Sequence, residues 1–105
     1  MTRARVAALS ELPDGGAHRV DIDGTPVCVV RVGDAVHAIG DTCSHADYSL
    51  SEGDVWPDEC AVECPQHGSL FSLETGEPES LPAIRPVPVY KVEISGDDVY
   101  VELHA

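Results

Sequence analysis

The stretch CSHADYSLSEG, residues 43–53, read together with ECPQHG, residues 63–68, decides the fold. Each carries a cysteine closely followed by a histidine: Cys43 and His45 with one residue between them, Cys64 and His67 with two. Eighteen residues, Ala46 to Glu63, separate the pairs. Soft thiolate sulfur combined with imidazole nitrogen selects zinc, or iron with sulfide, over calcium or magnesium. Spacing alone leaves both metals open. Two cysteines and two histidines complete a closed tetrahedral zinc site. Paired zinc ligands usually stand two to four residues apart so that the chain can curl around one ion, whereas Cys43-Ser44-His45 leaves one. That gap better suits two ligands aimed at two different metals, as in a two-iron cluster with cysteines on one iron and histidines on the other.

Outside these motifs the pattern is strand and turn. His18, Val20 and Ile22 alternate with Arg19, Asp21 and Asp23, and Asp23-Gly24 reads as a hairpin turn into Pro26–Val32. Gly33-Asp34 leads into Ala35–Ile39. Val87–Ile94 and Val99–Leu103 flank a further turn at Ser95–Asp98, with Val99, Val101 and Leu103 on one face. From about residue 40 to 86 the chain is rich in Gly, Pro, Ser, Asp and Glu, so the cysteine and histidine motifs fall on loops. The expected fold is all-β: an antiparallel β-sandwich base from residues 1–40 and 84–105, carrying a loop-rich metal-binding subdomain at 41–83.

Composition narrows the function. At 105 residues the chain is one domain, too small for a second lobe with its own catalytic centre. Nineteen acidic residues against six basic ones give a net charge of −13, which repels nucleic acid and anionic membranes and either steers a basic partner or serves solubility alone. The N-terminal apolar run, Val6 to Leu9, is too short for a secretory signal, and no run is long enough to span a bilayer. A soluble, cytoplasmic protein is expected. In a reducing compartment Cys28, Cys43, Cys60 and Cys64 read as ligands or buried thiols rather than disulfides.

CSHADYSLSEG (43–53), ECPQHGSLFSLETGEP (63–78) and LPAIRPVPVYKVEISGDDVYVEL (81–103) resemble, in order and over nearly the whole chain, a Rieske-type [2Fe–2S] ferredoxin. The likeness is greatest to the small ferredoxin components of bacterial ring-hydroxylating dioxygenases. The resemblance implies the Rieske fold, with Cys43 and Cys64 on one iron and His45 and His67 on the other. It implies an electron carrier, not an enzyme, that takes single electrons from a flavin-dependent ferredoxin reductase to a terminal oxygenase and has no small-molecule substrate. Two neutral imidazoles in place of thiolates raise the potential into a range that starts at roughly −150 mV. Alternatives are an auxiliary or redox-sensing role, for example in iron-sulfur assembly, and a cluster-free structural subunit like that of some nitrite reductases; the four ligands argue against the latter.

In the respiratory branch of the family an extra cysteine in each loop forms a disulfide; here Tyr48 and Gln66 stand at those positions. That branch also carries a serine and a tyrosine that hydrogen-bond to sulfur and raise the potential. Ser69 keeps the hydroxyl and Phe71 lacks it, so a potential in the lower part of the range is expected. Cys28, on one strand face with Val30 and Val32, and Cys60 are expected to be buried thiols. Trp56 is expected to pack between the two loops, with guiding a partner or shielding the cluster as the alternatives, and His18, His37 and His104 are expected to be structural or exposed. Pro82, Pro86 and Pro88 resemble the family's proline segment over the cluster, although Pro88 also suits an edge strand.

Overall fold

A computed structural model of the chain describes residues 2–42, 49–65, 68–79 and 86–103. Among these described residues nine strands form two antiparallel sheets. β1 (Thr2–Ala8), β2 (Ala17–Ile22), β3 (Thr25–Val32), β4 (Ala35–Gly40), β8 (Val89–Ser95) and β9 (Asp98–Leu103) make a six-stranded sheet in the order β1-β9-β8-β4-β3-β2. β5 (Val55–Trp56), β6 (Ala61–Glu63) and β7 (Leu70–Ser72) make a three-stranded sheet in chain order.

Turn chemistry sets the hairpins. Ile22 pairs with Thr25, so Asp23 and Gly24 alone reverse the chain, both at positive φ (49° and 79°). A two-residue turn of that hand matches the right-handed twist of the flanking strands. Gly33-Asp34 and Gly96-Asp97 close β3–β4 and β8–β9 with the same economy of residues.

The large sheet is folded over. Its halves, β1-β9-β8 and β4-β3-β2, are joined through the pairs Ala38↔Tyr90 and Ile39↔Val89, and Val27, Val29 and Ala38 from one half share a core with Val99, Val101 and Leu103 from the other. This is the expected sandwich base. The next residues along the same strands, Cys28 and Val30 on β3 and Ile39 on β4, point the other way into a second core with Leu50, Val62, Cys64, Phe71, Leu73 and Val87. Covered on both faces, β3 reads as an almost unbroken apolar run, Val27 to Val30, rather than an alternation. It is the wall to which the site-bearing part of the chain is bound.

Two boundaries differ from the sequence expectation. β1, which pairs with β9, has too weak a pattern to be legible, because its inward residues include the small Ala4 and its register slips between Arg5 and Ala7. β8 starts at Val89 rather than Val87. Val87 N–H donates to Gly76 C=O (2.8 Å), and Pro88, which has no N–H, only accepts, from Gly40 N–H (2.8 Å). Among the described residues no helix is long and apolar enough to cross a membrane.

Candidate metal centre

Glu63 at the end of β6 pairs with Leu70 at the start of β7, which leaves residues 64–69 as the connecting loop. Cys64 opens it. Its N–H donates to Ser69 C=O (2.7 Å), and its C=O accepts from Gly68 N–H (3.0 Å). Gly68 takes φ +74°, a left-handed turn that a side chain would strain. Cys64 is fully buried in the core of Val62, Phe71 and Leu50, and no disulfide engages it. The loop therefore begins on a soft sulfur donor held by its own backbone.

The first loop is closed the same way. Thr42 and Ser49 are bridged across residues 43–48, and Leu50 N–H donates to Asp41 C=O (2.6 Å). The Asp41 carboxylate, 1% exposed, accepts from the Ser49 hydroxyl and from Ser51 N–H (2.9 Å), while Arg19 Nε stands 3.8 Å away. A buried carboxylate is costly unless its lone pairs are satisfied, so this arrangement identifies Asp41 as the clamp across the loop's foot. Sequence reasoning missed it: an aspartate before Thr42 reads as an ordinary turn residue.

The feet of the two loops touch. A Cβ on Gly53 would sit 1.6 Å from Glu63 C=O and 3.3 Å from Pro65 Cδ, and Glu63 N–H donates to Asp54 C=O (2.8 Å). Leu50, just after the first loop, shares the core with Cys64, at the start of the second. Two loops anchored side by side, one opening on a buried thiol, fit a metal group shared between them. Cys43, His45 and His67 lie outside the described residues, as do Tyr48, Gln66, Pro82 and His104. Among the described residues no three His, Cys, Asp or Glu side chains gather to hold a metal.

Ser69 and Phe71 are both fully buried, Ser69 through its carbonyl bond to Cys64 and Phe71 opposite Val62 on β7. Cys28 is buried as expected, with Val32 packed against the same core, and burial, with the Asp41 charge adding to it, pushes its thiol up to about 12. Two expectations are corrected. Cys60 is only half-buried, at φ +51° after a 3₁₀ turn, with Sγ 3.5 Å from His37 Nε2. Burial and then Glu74 raise its thiol pKa, so it is no ready thiolate. Trp56 is not packed away: it is 46% exposed on the edge strand β5, and its indole N–H donates to Glu63 Oε1 (3.2 Å). His18 is exposed and Pro86 and Pro88 are solvent-facing.

Comparison with known proteins agrees with this geometry. Residues 2–91 match the Rieske [2Fe-2S] domain. The chain is 37% identical over 103 residues to the ferredoxin subunit of 3-phenylpropionate/cinnamic acid dioxygenase from Escherichia coli, covering 98% of this chain and 95% of that one. The ferredoxin of carbazole 1,9a-dioxygenase from Nocardioides aromaticivorans superposes with a TM-score of 0.93 at 40% identity, covering 96% of this chain and 97% of that one. A complex of reduced oxygenase and oxidized ferredoxin in carbazole 1,9a-dioxygenase matches with a TM-score of 0.88 at 42% identity, over 94% of this chain and 91% of that one.

Proposed function

The chain belongs to the Rieske [2Fe-2S] domain family, and from that premise we propose that Cys43 and Cys64 hold one iron of its cluster while His45 and His67 hold the other. The protein is an electron-transfer component of a ring-hydroxylating dioxygenase system and is not itself the catalyst. The bound [2Fe–2S] cluster supplies reversible one-electron chemistry. The observation that carries the ligand assignment is the fully buried Cys64, free of disulfide, in a loop whose foot is locked against that of the Cys43–His45 loop through Gly53.

The chain's own residues bind, orient and exclude water. Leu50, Val62, Phe71 and Leu73 keep solvent from the thiol side, and the Asp41 and Ser69 bonds fix the two loop feet. The division into a base of 1–40 and 84–105 and a subdomain of 41–83 follows this split of labour. Electrons enter from a flavin-dependent reductase and leave to a terminal oxygenase, in the cytoplasm. Iron and acid-labile sulfide assays with electron paramagnetic resonance after reduction test the assignment: two irons and two sulfides per chain are expected, and zinc without sulfide overturns it.

The potential lies in the lower part of the Rieske range, because Phe71 offers no hydroxyl and Ser69 alone remains. Ser69→Ala should lower the midpoint by on the order of 40 mV, the equivalent of one hydrogen bond for a one-electron couple. Protein-film voltammetry reads this, and an unchanged midpoint removes Ser69 from the account.

A further inference from the structure

Among the described residues two large apolar side chains stand exposed, Trp56 (46%) and Ile94 (41%). Ile94 lies on β8 of the large sheet, far along the chain from the metal loops. Trp56 lies on β5, the edge of the small sheet, and its indole is aimed by the bond to Glu63, the residue before Cys64. An exposed indole forgoes the burial that usually makes tryptophan stabilising, and nothing in the fold requires it there. The flanking residues are uniform in charge. Glu52, Asp54, Asp58 and Glu59 are all exposed, and no Lys or Arg occurs between Arg31 and Arg85. An exposed aromatic oriented by a hydrogen bond, in a stretch whose charges are all of one sign, suits a binding hot spot with electrostatic steering.

Resting on the carrier reading above, we propose that Trp56, flanked in sequence by the exposed Asp54, Asp58 and Glu59, is the docking face for the terminal oxygenase, which presents a Lys/Arg rim around an apolar recess for the indole. The oxygenase rather than the reductase is the occupant because a solved relative at 42% identity is a ferredoxin bound to an oxygenase. In the docked pair the carrier is oxidised by one electron and the oxygenase's own redox centre is reduced by it. Docking at Trp56 seats the partner beside the Glu63–Cys64 segment, where one hydrogen bond and the backbone link the indole to a proposed cluster ligand.

The test is stopped-flow mixing of the reduced holoprotein with the oxidised terminal oxygenase that turns over with it, followed at rising salt. Trp56→Ala should slow second-order transfer about thirtyfold, the size of a hot-spot truncation. Ile94→Ala should stay within about twofold, as surface substitutions away from such features do. Asp58→Lys with Glu59→Lys should slow transfer at low salt and flatten its salt dependence. If the Trp56→Ala protein with an intact cluster signal transfers as fast as wild type, the proposal is overturned. If only reduction by the reductase is slowed, the occupant is wrong. Should Trp56→Ala fail to take up the cluster, Trp56→Phe and the charge-reversed pair decide in its place. A wild-type protein that cannot reduce the oxygenase at all defeats the carrier reading instead, a separate result.

Discussion

Asp41 carries more of the site's architecture than its place in the sequence suggests. It is buried, accepts from Ser49 and Ser51, and stands two residues before Cys43. Asp41→Ala takes the acceptor from Ser51 N–H, while the Ser49 hydroxyl keeps Ser51 Oγ (2.7 Å) as a partner, a loss of roughly 1–3 kcal/mol by the usual cost of an unsatisfied group. A lower melting temperature and reduced iron content are expected, with Asp41→Asn intermediate; wild-type values for Asp41→Ala would show that the foot of the loop needs no clamp. Cys28 gives a second test at this scale. Burial, and then the Asp41 charge, push its thiol from the ordinary 9.0 up to about 12, so the folded state keeps a proton that the unfolded chain releases. Its contribution is therefore complete below pH 9 and is lost as pH rises from 9 to 12, by up to about 1.4 kcal/mol per unit. Denaturant titrations from pH 8 to 11 should show this alkaline loss, and Cys28→Ala should make the profile flatter. An identical slope in both proteins would trace it to other groups.

At the scale of elements, legibility followed length and pattern. β3, β4 and β9 announce themselves because their apolar positions are many and their turns carry Gly at fixed places. β5, β6 and β7 are two or three residues long, too short for a detectable alternation, so in sequence the small sheet is indistinguishable from loop. The metal motifs were legible for the opposite reason: their chemistry is local, a cysteine and a histidine within four residues. What holds the two loops together is not local. Gly53 and Glu63 meet across ten positions of sequence, and at φ −86° nothing in Gly53's own backbone requires glycine. Gly53→Ala therefore isolates contact from conformation: its Cβ must push Glu63 C=O away and part the loop feet. Cluster content, read from iron and visible absorption, should fall by more than half with the large sheet's circular dichroism retained. Full occupancy would mean that the feet can separate without cost to the site.

The whole molecule is polarised in charge. All six basic residues lie at positions 3–31 and 85–91, so the intervening segment that holds Cys43, His45, Cys64 and His67 contributes acidic residues and no basic one. The ion pairs described are on the base or tie Arg19 to Asp41: Arg3 with Glu93, Arg5 with Asp98, and Arg19 with Asp21 and Asp41. Exposed pairs of this kind contribute about 0–1 kcal/mol each and weaken in salt. Against them stands the self-repulsion of a net charge of −13 on 105 residues, which salt relieves. The second effect is the larger, because nineteen acidic groups share six cations. The melting temperature of the holoprotein should therefore rise as sodium chloride goes from about 10 mM to about 500 mM, where the Debye length shrinks from about 30 Å to a few ångströms. A flat or falling melting temperature would mean that the pairs on the base outweigh the repulsion. The same screening that stabilises the fold weakens attraction to a basic partner. Stability and transfer rate are thus expected to move in opposite directions with salt, and this opposition distinguishes charge placed for docking from charge placed for solubility, which would leave the rate unchanged.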